Sequence, residues 1–324
     1  MASANTNFDE IITTTLKNRS GKVADNVTNN NAFLRLCSKK GNVQLEDGGQ
    51  TLVQELEFAE NSTFKYYDGF ETLNVSQSDV LSAAEFDWKQ AAVAVTVSGK
   101  EMRQNMGENR VINFVAAKVK NAENTMANNL STGIFSDGTG SSGKQIGGLQ
   151  LIVADAPSTG TVGGINRANY SFWRNYAYDA TTDGGAAATS ANIQDYMNNV
   201  WINTVRGADR TDAIVADSAY FNLYWQSLQA IQRITSEEKA GAGFRSLEFN
   251  GPGGSAPVLL DQAAPTNHMY FLNTDYLFWK VHSDANYALQ NDIRSVNQDA
   301  IVKHILFMGN MTASNCDLQG VLKD

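Results

Sequence analysis

Hydrophobic positions recur along this chain with two different periods, and the changes of period mark out its elements. Over residues 7–20, "NFDEIITTTLKNRS", Phe8, Ile11, Ile12, Thr15 and Leu16 share one helical stripe, with Asn7 and Glu10 spaced as a capping box and Gly21 as a stop. The spacing predicts a short amphipathic helix. A weaker helical pattern carries Phe33, Leu36 and Cys37 up to Gly41, after the polar, turn-prone "GKVADNVTNNN". This opening stretch reads as an arm with little core of its own, stable only when packed on something else.

From Gln50 to Asp79 the period drops to two, with "QTLVQELEFA" and "FETLNVS" flanking "ENSTFKYYDG". The pattern predicts a long two-stranded hairpin with a polar, aromatic tip. An isolated hairpin is marginal in water, so it lies on its parent domain or reaches a neighbouring molecule. "QAAVAVTVSG" then alternates through Val93, Val95 and Val97 to Gly99, a half-buried strand. Between Glu108 and Thr132 the helical period returns. Val111, Val115, Val119, Ala122, Met126 and Leu130 line one stripe, while Lys118, Lys120 and Glu123 are expected to face elsewhere. At 1.5 Å per residue this helix is about 35–40 Å long.

The second half mixes both periods. Ser190 to Arg206 is the clearest amphipathic helix, with Ile193, Tyr196, Met197, Val200, Trp201 and Val205 on one face and Gly207 behind it. A strand "DAIVA" and a helix "SAYFNLYWQSLQAIQRI", capped by Asp217 or Ser218, come next. The short strands "PVLLD", "HMYFLN" and "LFWKV" follow among Gly and Pro, and "AIVKHILFMGNMTASNCDLQGVL" closes the chain as a long strand or hairpin pair. The result is an α+β chain with two cores and two protruding limbs.

Composition adds exclusions. With 324 residues, 42% hydrophobic and 18% charged, the chain is of the folded, globular kind. Its formal charge of −9 argues against strong overall attraction to nucleic acid or an anionic membrane, so any such contact must be local. Cys37 and Cys316 make neither a disulfide framework nor a clustered metal site, which fits a reducing compartment. No apolar run approaches the roughly 20 residues of a membrane span, and the start of the chain lacks a signal-peptide pattern, so a soluble protein without membrane partners is expected.

"FSDGTGSSGKQIGGLQLIV" places Gly138, Gly143 and Lys144 at phosphate-loop spacing. A working loop needs a strand before it, a helix after it and a Ser or Thr behind the lysine. Here a helix precedes, "GGLQLIV" reads as a strand, and Gln145 follows Lys144, so the glycines are expected to serve a turn with positive φ. His268, His282 and His304 are scattered, and His304 shares a strand face with Val302, Leu306 and Met308 as a packing residue would. Ser283 and Asp284 adjoin His282 without the arrangement of a triad, and Glu85 and Asp87 read as a solvated strand face. No enzyme signature and no cofactor emerge. "NYSFWRNYAY", with Arg167 nearby, fits domain packing or a protein contact, and a base-stacking platform is the alternative.

Taken in order, "EFDWKQAAVAVTVSG" before the long helix, "FSDGTGSSGKQIGGLQLIV" after it, "GTVGGINRANYSFWRN" and the closing "HILFMGNMTASNCDLQGVL" give the chain a recognisable plan. It resembles the major capsid proteins of tailed bacteriophages, of the Hong-Kong-97-type shell fold, over nearly its whole length. The resemblance implies an N-terminal arm (1–47) and an extended loop (48–79). It further implies a peripheral domain (80–139 and 293–324) with a spine helix at 108–132, and an axial domain (140–292). It implies hexamers and pentamers closing into an icosahedral shell around packaged double-stranded DNA, assembled in the host bacterial cytoplasm. A separate scaffolding protein, a portal and a decoration protein are the further partners implied.

On this resemblance Phe58, Phe64, Lys65, Tyr66 and Tyr67 of the hairpin, and Phe8, Ile11 and Ile12 of the arm, would touch neighbouring subunits. Lys17, Arg19, Lys22, Arg35, Lys39 and Lys40 make the arm and its junction the most basic region, either a weak, sequence-independent contact with DNA phosphate or a solvated arm. Some members cross-link subunits through a loop lysine and a peripheral asparagine. Lys65, Asn310 and Asn315 stand in those regions, without an identifiable catalytic acid. The alternatives are an encapsulin-type compartment, which shares the fold, an adhesin or fibre module, and an NTPase.

Overall fold

The computed structural model describes residues 31–100, 108–228, 247–289, 293–294 and 299–324. Phe8, Ile11, Ile12, Lys17, Arg19 and Lys22 therefore lie outside the described residues. Helix α1 (Ala32–Lys40) begins where the Asn31 side chain accepts a hydrogen bond from the Leu34 amide at 3.0 Å, and stops at Gly41, whose φ of 78° only glycine adopts at no cost. Strands β1 (Val43–Glu46), β2 (Leu52–Glu57), β3 (Leu81–Phe86) and β4 (Lys89–Ser98) follow, then helix α2 (Glu108–Gly133). Val95 and Val97 of β4 are buried and Val93 half-buried, while Ala92, Ala94 and Thr96 face out, as the alternation predicts.

The stripe of α2 holds at Val119, Ala122, Met126 and Leu130, all buried. Glu123 is buried as well, against expectation. It sits one turn beyond Val119 and three residues before Met126, so helical geometry puts it on the packed side whatever its chemistry.

The hairpin differs more. Its second strand is β3, paired from Leu52↔Phe86 to Glu57↔Leu81, and "FETLNVS" forms no strand. This register lets Leu52 and Leu56 enter the main core together with Ala84 and Phe86. Pairing with residues 70–76 would have left Ala84 and Phe86 in water. "GGLQLIV" is likewise no strand but a helical turn (Leu149–Ile152). Leu149, Ile152 and Val153 are all buried, a spacing of three and four that a strand could not place on one face. Before it the glycine turn behaves as predicted, with Gly138 and Gly143 at φ 77° and 78° and Asp137 bridging to Gly147.

Two sheets carry the rest. In the first, β1, β12 (Leu277–Leu289) and β14 (Ala300–Ala313) are neighbours, and β4 and β13 (Ile293–Arg294) also pair with β14. The second runs β7 (Tyr176–Asp179), β15 (Gly320–Lys323), β11 (His268–Leu272), β8 (Ala213–Ala216), β10 (Gly254–Leu260) and β9 (Leu247–Gly251). The closing segment is thus no hairpin: β14 and β15 belong to different sheets. β12, before residue 292, joins the first sheet, and β15, at the end of the chain, joins the second. Val321 and Leu322 are both fully buried, as in a strand covered on both faces.

Helix α3 (Ile193–Asn203) buries its predicted face except Val205, which lies beyond the helix end and is half-buried. Helix α4 (Ser218–Ser227) is capped by Asp217, which accepts from the Ala219 and Tyr220 amides at 3.2 and 2.9 Å. Both helices pack with Ile214, Ala216 and Phe271 in one core, while Ala213, Val215 and Tyr270 point to the other with the end of α2. A short β5–β6 hairpin (Thr161–Val162 and Ile165–Asn166) precedes Trp173, which is buried and donates from its indole to the Val162 carbonyl at 2.9 Å. The aromatic stretch is therefore packing, at least at Trp173 and Tyr178.

Asp179, Lys323 and His268 are successive partners across β7, β15 and β11. The Lys323 hydrogen bond at 2.9 Å holds Asp179 down at about 2. His268 Nδ1 faces the Thr266 carbonyl at 2.7 Å and Nε2 faces Asp155 at 3.1 Å, two acceptors that favour the protonated ring, in which both nitrogens donate. Burial alone would lower its pKa, but the bonds to Asp155 and Thr266 and the Asp155 charge raise it above the ordinary 6.5, with Lys323 opposing. The stabilisation is complete below that ordinary value and is lost as pH rises through the folded one. The melting-temperature advantage of wild type over His268→Gln should accordingly be largest near pH 6 and fall towards pH 9. An advantage that grows with pH would contradict it.

Candidate assembly surface

The extended loop is rooted in the body and bare at its end. At the root, Lys280 pairs with Glu46 at 3.1 Å and donates to the Val53 carbonyl at 3.2 Å, and the Trp88 indole donates to Gly49 at 2.9 Å. Phe58, expected at the tip, belongs to this root instead. Its amide donates to the Val80 carbonyl at 3.1 Å, and its ring packs on Phe172 with centroids 5.5 Å apart. It follows directly on β2, so the strand's own burial draws it in.

Beyond it, residues 59–80 turn on local polar bonds. Asn61 accepts from the Thr63 amide and hydroxyl at 3.0 and 2.7 Å, Ser62 reaches Ser78 across the loop at 3.4 Å, and Lys65 is paired with Glu71. These bonds leave the apolar groups outside. Phe64 is 75% exposed, Tyr66 88%, and Tyr67, Phe70 and Val75 are exposed too, the only ring pair among them being Phe64 on Tyr66 at 5.2 Å. Exposed aromatics of this kind are the residue types enriched where proteins touch one another. Four carboxylates, Glu60, Asp68, Glu71 and Asp79, against Lys65 make this surface acidic.

Phe64, Tyr66 and Tyr67 were legible because aromatics interrupt a polar run. Phe70, Leu73 and Val75 were absorbed into a strand that does not form. Their spacing of three and two fits neither period, and that mismatch was the available signal.

The basic candidates fare differently. Lys40 is bound to Asp212 and, at 2.7 Å, to Asp275, bonds that outweigh its burial and raise its pKa. Its charge is neutralised within the chain. Arg35 is half-buried and engaged, and Lys39 is exposed. Asn310 is buried, accepting from the Gly147 amide at 3.0 Å and donating to the Asp87 carbonyl at 2.8 Å, while Asn315 accepts from the Asp317 amide at 2.9 Å. Among the described residues no group of three or more His, Cys, Asp or Glu could hold a metal ion, and no helix is long and apolar enough to cross a membrane.

The chain thus combines a long helix laid on a sheet, a second sheet with its own helices, and a two-stranded ribbon whose loop carries exposed aromatics. The model of the SU10 major capsid protein family matches residues 88–307, from the residue before β4 into β14 and well over half of the chain. The chain belongs to this family. No curated protein matches it in sequence. The capsid protein is similar in fold to the cyanophage A-1(L) capsid asymmetric unit, at 14% identity and a TM-score of 0.62 over 87% of this chain and 90% of that one. The capsid of Myoviridae phage XM1 is similar at 10% identity and a TM-score of 0.53, over 89% and 91%. An encapsulin complex from Synechococcus elongatus PCC 7942 shares the fold at 8% identity and a TM-score of 0.52, over 86% and 83%.

The fold is therefore the α+β, Hong-Kong-97-like shell fold. Fold alone does not separate a capsid from an encapsulin, and the family match decides for the capsid. The capsid protein is a structural, shell-forming component of a phage virion, not an enzyme.

Proposed function

We propose that this capsid protein builds its shell from hexamers and pentamers held together by the extended loop, whose exposed aromatics at Phe64, Tyr66, Tyr67 and Phe70 seat on a neighbouring subunit. That exposure on a rooted ribbon carries the reading. A limb that overlaps its neighbour tolerates more than one curvature better than a flat patch does, and a closed shell needs this. The peripheral domain would comprise α2 and the first sheet, and the axial domain the second sheet with α3 and α4. The arm would add Phe8, Ile11 and Ile12 to the contacts between subunits. A separate scaffolding protein, a portal and a decoration protein complete the head, assembled in the bacterial cytoplasm. Contact with packaged DNA is weak and local, through Lys39 and the basic arm residues rather than Lys40.

Sedimentation velocity of the protein expressed alone and with its scaffolding protein, followed by electron microscopy of the fast fraction, tests the reading. Closed particles with six-fold and five-fold capsomers are expected. A monomer under both conditions would overturn it.

A further inference from the structure

The root of the loop carries a contact that the assembly surface does not explain. Gly163 and Gly164 form the two-residue turn between β5 and β6, both with positive φ, 57° and 75°. They differ in what surrounds them. A Cβ on Gly164 would meet nothing within 4 Å, whereas one on Gly163 would lie 2.8 Å from the Ala84 Cβ and 3.0 Å from the Phe86 ring. The Gly163 carbonyl also accepts a hydrogen bond from the Glu85 amide at 2.9 Å. The turn thus sits close against β3, joined to it by a backbone hydrogen bond and facing the Ala84 and Phe86 side chains.

The hairpin bearing that turn is itself fixed. Val162 is buried and accepts from Trp173, and Arg167 donates to the carbonyls of Trp173 and Leu151, each at 3.2 Å, and to that of Ile152. On the opposite side Lys280 grips β2 through the Val53 carbonyl. The ribbon is therefore clamped from two directions.

We infer that the Gly163 turn is a positioning element for assembly: it clamps the β2–β3 ribbon so that the extended loop leaves the body in one direction and pivots only beyond Phe58 and Val80. This rests on the reading of the loop as the contact with a neighbour. A loop whose root could swing would present its aromatics in many orientations, and each contact would bear the cost of selecting one.

The test compares Gly163→Ala with Gly164→Ala. Both place alanine at positive φ and share that backbone cost, but only the first has to displace the ribbon. Hydrogen exchange on the free subunit is read first. Gly163→Ala should speed exchange of the Glu85 amide about tenfold or more, and Gly164→Ala should leave it within about threefold of wild type. Shell formation should slow about tenfold in the first variant alone. Adding Ala84→Gly to Gly163→Ala, which removes the nearest atom, should restore part of both. If Gly163→Ala is not recovered folded, Ala84→Val presses on the same contact from the other side and is read in the same way.

Equal exchange and equal assembly in the two glycine variants would overturn the clamp. Released exchange with unchanged assembly would overturn its role in positioning. Failure of the loop reading would show up elsewhere, as normal assembly after loss of the tip aromatics, and the exchange comparison would still decide whether the clamp exists.

Discussion

Phe64→Ala combined with Tyr67→Ala is expected to leave the subunit folded and to suppress shell formation. Both side chains are exposed, and neither is part of a core, so the melting temperature should stay within about 2 °C of wild type, as for surface substitutions generally. Assembly is another matter. Aromatic anchors at the centre of an interface cost about 2 kcal/mol or more each when truncated. Two together would weaken every loop contact by roughly 4 kcal/mol, on the order of a thousandfold. On the proposed reading each subunit of a shell makes such a contact, so the concentration needed for assembly rises steeply. Sedimentation velocity across a concentration series, with thermal unfolding of the free subunit alongside, measures both. Assembly at the wild-type threshold would remove the tip from the interface.

The second large effect is expected at Arg167, inside the subunit. Arg167 is 1% exposed, and its guanidinium supplies donors to the carbonyls of Trp173, Leu151 and Ile152. These carbonyls belong to the turn at 149–152 and the stretch that supports the β5–β6 hairpin, so one side chain ties three short segments that have little regular pairing of their own. Arg167→Met fills much of the same volume but leaves three buried acceptors without their charged donor. At about 1–3 kcal/mol for each unsatisfied group, partly relieved by relaxation, the loss should be about 3–5 kcal/mol. For a chain of this size that is a fall of roughly 4–7 °C in melting temperature by calorimetry. Arg167→Lys should recover little of it, because one ammonium cannot reach acceptors spread around a planar fork. A change below about 1 kcal/mol would mean that the carbonyls find other donors.

Arg167 also shows where sequence reading stopped. Beside Trp173 and Arg174 it could be read as one of the basic groups of an aromatic surface, and nothing local says that it is buried. The same limit applies at Phe58 and Phe70, both aromatics on the predicted hairpin. One is held by Phe172, more than a hundred residues away in the chain, and the other is left in water. Neither fate depends on the immediate neighbours in sequence.

By itself the sequence determined the elements whose apolar period is long and strict: the α2 stripe through Val119, Met126 and Leu130, the β4 alternation at Val93, Val95 and Val97, the α3 face, and the glycine turn at Gly138 and Gly143. Each is set by one face seeking burial or by a backbone angle only glycine takes freely, and both are local requirements. The tertiary structure decided the pairing of β2 with residues 81–86, the helical turn at 149–152, the division of β14 and β15 between two sheets, and the placing of Arg167 in the core. Those outcomes turn on which distant side chains can share a dry interior, and a short apolar run fits several such arrangements equally well until the rest of the chain has chosen one.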